Sequence, residues 1–268
     1  MGLSSAKLQK EQSHIRGLLT GYTVLVYVFL FLPIFVVILM SFNTAKIGAF
    51  PLDDFTLRWY SELFRDKTVW AALVNSIIIS AGTTLLSVIL GTLGAFALVR
   101  HQFRLKALFT GVLVIPLIIP GLIIGISLLS FYHFLGVHPS RLTVILGHTA
   151  LALPYTTLVI SSRLEGFDIH LEEAAAILGA PPWRVFYKVT LPVIGSGIIA
   201  AALFAWTISF DEFIITFFIM GGAKKTLPLK IWSLLKFGIS PQINAMSALI
   251  LVAALVLVTT ALAMLRRP

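Results

Sequence analysis

The sequence predicts an all-α, polytopic membrane protein of six transmembrane helices on three observations: 58% of its 268 residues are hydrophobic, only 12% are charged, and the apolar residues gather into six long uncharged runs. A soluble domain is about a quarter charged, and the mean hydropathy of this chain is +0.99. No soluble fold of this length could hide so much apolar surface.

A spanning helix needs about 20 largely apolar residues. Runs at least that long and free of Asp, Glu, Lys and Arg extend over Gly17 to Ala45, Thr68 to Arg100, Ala107 to Ser140, Leu142 to Ser162, Val189 to Phe210 and Phe237 to Leu265, the second closing on its arginine. The fifth reads on past two carboxylates to Met220. Gly, Pro and Thr within the runs are no objection, because neighbouring helices satisfy the freed backbone groups. Short polar loops and no long linker predict one domain over residues 1–268.

Residues 1–16 are polar and form an N-terminal tail. The first apolar run is about twice a signal peptide's core and lacks a small-residue cleavage site, so it reads as a retained anchor. With no cysteine there is no disulfide, thiolate metal site or cysteine nucleophile. The net charge of +9 admits nucleic acid or a membrane surface as partner, and its distribution favours the bilayer and no nucleic acid. With the N-terminus inside, Lys7, Lys10, Arg16, Arg100, Arg104, Lys106, Arg163, Arg184, Lys188, Arg266 and Arg267 are cytoplasmic, eleven of the twenty basic residues. Eleven against nine is a weak orienting signal, since four lysines fall between Gly221 and Lys236 on the other side.

The loop between the fourth and fifth runs, about 164–192, is more informative. Leu171 to Leu178 is rich in alanine, leucine and glutamate, which favour helix. Gly179 suits the left-handed residue past a helix end, and Pro181-Pro182 suits the first turn of the next helix. The predicted product is two short helices at an angle on the membrane face. Glu173-Ala174-Ala175, three residues, Gly179, nine residues, then Val189-Thr190-Leu191-Pro192 resembles the EAA loop of ABC importer permeases, with valine where isoleucine is usual. A plain interfacial connector would explain the helicity but not this spacing.

The resemblance implies a type I permease fold in which this loop is cytoplasmic and docks into a groove of a separate ATPase, carrying its motion to the membrane helices. The residues it implicates are Glu172, Glu173, Ala174, Ala175, Gly179, Leu191 and Pro192. It implies a bacterial inner-membrane location with both termini inside. Its implied partners are a second, homologous but non-identical permease subunit, two ATPase subunits and an extracytoplasmic solute-binding protein. It extends over nearly the whole chain, including Trp59-Tyr60, Asn75-Ser76 and Pro116 to Leu129.

No phosphate-binding loop of the form G-x-x-x-x-G-K-[ST] is present; Gly221-Gly222-Ala223-Lys224-Lys225-Thr226 lacks the spacing. The chain is therefore expected to be no enzyme and to bind no cofactor, ATP and magnesium belonging to the partner ATPase. The six histidines form no zinc pattern, and His148 reads as an interhelical hydrogen-bonding group. Gly17 with Gly21 and Gly121 with Gly125 fit the small-residue spacing of close helix packing.

Asp211, followed directly by Glu212, lies sixteen residues beyond Gly195, about 24 Å along a helix. Two acids near the middle of a span cost about 5 to 7 kcal/mol, and thirteen Ile, Leu and Phe residues from Ile194 to Ile219 return roughly 4 to 8. The acids should therefore face the bundle, a water-filled path or the outer boundary. In a continuous helix Glu212 shares a face with Ser209, Thr216 and Ala205, and Asp211 with Thr207 and Phe204, so one acid is expected on the solute path and the other in packing or gating. Trp206, Ser209, Asn75 and Tyr155 complete the candidate path.

Two other classes are compatible with intramembrane acids. In an ion-coupled secondary transporter Asp211 and Glu212 would bind protons or sodium, but the EAA loop would have no role. An intramembrane enzyme needs a nucleophile or metal constellation, and none is visible. Within the importers, Leu227 to Ser233, Lys236 to Ala245 and Ser209 to Glu212 look like spermidine and putrescine permeases. That resemblance implies a polyamine whose ammonium groups meet carboxylates and, at Trp206, an aromatic face. The chain departs from the pattern at Gly121, where those permeases often carry glutamate, which keeps opines, aminophosphonates and other small amine-bearing solutes in view.

Overall fold

The computed structural model describes residues 2–44, 54–222, 225–236, 238 and 240–265. Ala223 and Lys224 of the glycine-lysine run, Phe237 and Ile239 of the polyamine-like stretch, and Arg266 and Arg267 lie outside the described residues.

All long elements are helical: α1 (Gly2–Met40), α2 (Arg58–Arg65), α3 (Lys67–Arg100), α4 (Lys106–Ile118), α5 (Gly121–Phe134), α6 (Arg141–Glu165), α7 (His170–Ile177), α8 (Pro182–Val185), α9 (Leu191–Asp211), α10 (Ile214–Ile219), α11 (Leu227–Leu235) and α12 (Pro241–Leu265). A π-helical turn, Phe186–Thr190, joins α8 to α9. Among the described residues five helical spans are long and apolar enough to cross a membrane, six when α4 and α5 are counted together. The third predicted run is therefore not a straight helix. It bends by 109° between Ile118 and Gly121, because Pro120 removes a backbone donor and disfavours a helical Ile119, whose ψ of 129° is extended.

The chain divides into two compact units. In the first, Met1–Arg65 with Leu234–Pro268, α12 packs against α1 and α2. The turn after α1 is fixed where Trp59 Nε1 donates to the Asn43 carbonyl at 2.7 Å and the Ser41 and Tyr60 hydroxyls meet at 2.6 Å.

The second unit, Asp66–Ser233, is built on mutual packing of α3, α6 and α9, with α10 against α5 and α6. The buried face of α3 is made of small residues, among them Ala72, Ser76, Ser80, Thr83, Ser87, Gly91 and Ala95. Lipid tails offer no hydrophobic incentive for helices to associate, so close backbone approach and interhelical hydrogen bonds must do so. Gly91 lies against the side chain and backbone of Thr156, whose hydroxyl donates to the Ser87 carbonyl at 3.0 Å. Bulky side chains concentrate near the α5–α10 end, where Ile79, Tyr132, Val144, Ile215, Ile219 and Met220 form one buried cluster.

Each end of α3 is tied down. At its start Asp66 caps the helix by accepting from Thr68 N at 2.7 Å. Ser76 Oγ accepts from Leu227 N at 2.9 Å, and Lys230 Nζ donates to Thr68 Oγ1 at 2.7 Å, which holds α11 and the preceding loop there. At its other end, 34 residues on and about 50 Å away, Arg100 meets the loop that contains α7.

Candidate functional site

The loop from Gly166 to Thr190 folds as its sequence implies. Helix α7 ends at Ile177, and Gly179 follows with φ of 81°, the left-handed conformation that glycine adopts without a Cβ clash. Ala180 N then bonds back to the Ala175 carbonyl at 3.1 Å. Pro182 occupies the first turn of α8. No residue of α7 is buried: Ile177 and Leu178 are 86% and 87% exposed, and Trp183 and Tyr187 each 61%. Apolar side chains this bare on a polar loop are of the kind that protein partners or membrane surfaces cover.

The two glutamates of this helix point to different neighbours. Glu172 Oε1 accepts from Arg100 Nη2 at 3.1 Å and from Thr190 Oγ1 at 2.6 Å. Glu173 is exposed and its Oε2 lies 2.9 Å from His170 Nδ1. That hydrogen bond, with the charges of Asp168 and Glu173, holds the His170 imidazole above its ordinary pKa. Ala174 is exposed and Ala175 half-buried, leaving room for close approach. Leu191 is half-buried and Pro192 exposed at the start of α9.

The second candidate region differs from its sequence reading. The fifth run does not continue to Met220 as one helix. It stops at Asp211, Glu212 is extended with ψ of 111°, and the short α10 restarts at Ile214. The face-sharing argument for a continuous helix therefore fails, and the break itself separates the two acids. Glu212 Oε1 accepts from Ile215 N at 2.9 Å and the Glu212 carbonyl accepts from Thr216 Oγ1 at 2.9 Å, so Glu212 caps α10. Asp211 is exposed, and among the described residues no hydrogen bond or ion pair engages its carboxylate.

His148 closes this break. Fully buried on α6, it sets Nδ1 2.9 Å from Ser209 Oγ and Nε2 2.8 Å from Thr216 Oγ1, the interhelical role its position in the sequence implied. Trp206 is half-buried and stacks on Phe210 at 6.3 Å. Ser209, Asp211 and Glu212 are thus brought together, with Trp206 one turn away. Asn75 is engaged elsewhere, its Nδ2 donating to the Lys225 carbonyl at 3.0 Å. Tyr155 stands exposed on α6, and among the described residues no hydrogen bond joins it or Asn75 to the carboxylates. Beside Asn75 opens a cavity of about 760 Å³ edged by Lys67, Arg141, Lys225 and Lys230. The sequence reading missed the helix break, Thr216 as a partner, and this basic cavity; the Phe213 that separates two helical stretches carries no breaker signal. Among the described residues no group of three or more His, Asp or Glu could hold a metal ion.

Comparison with known proteins bears on both regions. The family described as "Binding-protein-dependent transport system inner membrane component" matches residues 87–267, which include α7, the break and α12. The chain belongs to this family. As a permease it is a multi-pass inner-membrane component and not an enzyme. It is 32% identical over 238 residues to the spermidine/putrescine transport system permease protein PotC of Escherichia coli K12, covering 89% of this chain and 90% of that one. It is 38% identical over 241 residues to the putrescine transport system permease protein PotI of the same strain, covering 87% and 84%. The permease also shares its fold with a bacterial ABC transporter involved in the import of the acidic polysaccharide alginate, with a TM-score of 0.70, 16% identity, and 94% and 96% of the two chains covered. The MetNI methionine ABC transporter matches with a TM-score of 0.61 and 18% identity, over 79% and 98% of the chains. At these identities the structural likeness shows the fold alone.

Proposed function

We propose that this permease forms part of an ATP-driven importer of polyamines, spermidine or putrescine, receiving the solute from an extracytoplasmic binding protein. The similarity to two polyamine permeases over most of the chain carries this reading. The chemistry of the break supports it. Asp211 is exposed in an apolar segment and has no partner among the described residues, and a polyamine ammonium would supply one, with the Trp206 face adding cation–π attraction. In this reading residues 1–268 form one permease domain with both termini cytoplasmic. It works beside a second permease and two ATPase subunits that bind ATP and magnesium. The exposed face of Glu173, Ala174, Ile177, Leu178 and Trp183 docks to an ATPase, with Ala175 and Gly179 setting its shape. Membership of a binding-protein-dependent family leaves the ion-coupled transporter without support.

Deleting the gene from cells that lack other polyamine importers tests the solute. Labelled spermidine and putrescine uptake should collapse and return on re-expression. Unchanged uptake would reject the polyamine reading.

One observation favours a second reading. Lys67 and Arg141 open α3 and α6 and both line the 760 Å³ cavity, and whereas the Asp66 carboxylate caps α3, α6 has Ser140 at its cap and no acid in its first turn. Cations at helix N-termini oppose the macrodipole, a cost that an anionic group would offset. An importer for an amine-bearing anion such as an opine or an aminophosphonate would use this cavity as well as Asp211. In the same deletion strain, lost aminoalkylphosphonate uptake with intact spermidine uptake would select this reading.

A further inference from the structure

We propose that Glu172 is the positioning residue through which movement of α7 is transmitted to α3 and α9. This rests on the reading of α7 as the ATPase-docking helix, and it assigns Glu172 to the inside of the machine and not to the docking face.

A single oxygen, Glu172 Oε1, accepts from Arg100 at 3.1 Å and from Thr190 at 2.6 Å. Arg100 is the last residue of α3, and its guanidinium also lies 5.1 Å from the centre of the Phe167 ring. Phe167 follows α6 and is buried with Leu164 and Ile194 of α9. Thr190 is buried at the end of the π turn, and α9 begins at the next residue. One carboxylate on α7 is therefore bonded to the end of α3 and the entry of α9, and through Arg100 to the segment leaving α6. These are the three helices whose packing builds this unit.

Little else holds α7. None of its residues is buried, and it packs mainly on α8 and the π turn of its own loop. The Arg100 and Glu172 side chains are 20% and 25% exposed, sheltered enough for a charge-assisted bond to exceed a surface ion pair. Helix ends reinforce it, since Arg100 sits in the last turn of α3 and Glu172 in the first turn of α7. The π turn is wider than an α turn and recurs at functional sites. It supplies a segment beside Thr190 whose winding a pull on Glu172 can change.

The test uses the complete reconstituted importer with an Ala176→Cys reporter for cross-linking to the ATPase. Glu172→Gln should reach the membrane and cross-link as the parent does, while solute moved per ATP hydrolysed falls on the order of tenfold. Glu165→Gln, at the exposed end of α6, should leave that ratio unchanged. The exchange Arg100→Glu with Glu172→Arg should recover part of the loss. If Glu172→Gln fails to reach the membrane, Arg100→Gln breaks the same bond from the other side and should give the same ratio. An unchanged ratio in both variants, or loss of the cross-link in Glu172→Gln, overturns the proposal. Absence of any cross-link in the parent would instead overturn the docking reading on which it rests.

Discussion

His148 Nδ1 lies 2.9 Å from Ser209 Oγ while its Nε2 lies 2.8 Å from Thr216 Oγ1, so one ring on α6 grips α9 and α10 on either side of Asp211 and Glu212. Hydroxyls can donate or accept, so both nitrogens of a neutral imidazole are satisfied whichever carries the proton. Glu212 completes the joint by capping α10. The chain is thereby held open where a continuous helix would bring the next turn round, and Asp211 is left facing outward.

Replacing His148 with leucine should cost about 1–3 kcal/mol, because the Ser209 and Thr216 hydroxyls lose a buried partner. Thermal unfolding of the purified permease should show it as a lowered midpoint. Ser209→Ala removes only one of the two bonds and should fall by less. Equal midpoints for parent and His148→Leu would mean that packing alone holds the break.

The two acids should separate cleanly. Glu212→Gln keeps an oxygen for Ile215 N, whereas Glu212→Ala removes the cap and should lose about 1 kcal/mol of stability. Among the described residues Asp211 engages no partner, so Asp211→Asn should leave stability unchanged while uptake of a cationic amine slows. A stability loss at Asp211 with normal uptake would exchange these roles.

Much of this was legible in the sequence, and the parts that were not have physical reasons. The spans could be read because the bilayer imposes length and polarity on each of them, and the loop because Gly179 and Pro182 sit where a left-handed turn and a helix start need them. The bend at Pro120 carries a proline signal, and only the length of the apolar run concealed it. The break at Glu212 was invisible because Phe213 and Ile214 are ordinary helix residues. Beside the local bond from Ile215 N to the Glu212 carboxylate, what holds the break is tertiary, a histidine from a helix some sixty residues earlier, and such contacts override local propensity. The inward role of Glu172 was hidden likewise, since Arg100 is 72 residues away.

Asp66 predicts an acid limb. Burial raises its pKa, but the hydrogen bonds from Thr68, the charge of Lys230 at 3.8 Å and the bond from Val69 outweigh this and hold it below the usual 3.8. A carboxylate depressed in the folded state stabilises fully above its unfolded pKa, and the contribution is lost as pH falls through the folded value. Asp66→Asn should therefore lower the unfolding midpoint at pH 7, and the difference between variant and parent should shrink as pH falls through the folded value, which lies below 3.8. A difference that does not shrink as the pH is lowered well below 3.8 would mean that the charge of Asp66 has no part in it.

The docking face can be tested by shape at two positions. Gly179 has φ of 81° and nothing within 4 Å of where a Cβ would stand, so a side chain there meets backbone strain and no intramolecular clash. Forcing a non-glycine residue into this conformation costs roughly 1–2 kcal/mol, spent in a loop that does not form the core. Ala175 is half-buried on α7 with no strain of its own. Gly179→Asp and Ala175→Arg should therefore both insert and fold, and each should place a bulky charge on the face that Ile177 and Leu178 leave bare. Uptake and co-purification with the ATPase should be lost together in both variants. Gly179→Asn, which adopts the left-handed conformation more readily and adds no charge, should retain more of both than Gly179→Asp. If Gly179→Asp and Ala175→Arg still bring down the ATPase at parental levels, this face is not the contact, and the exposed apolar residues of the loop serve another partner.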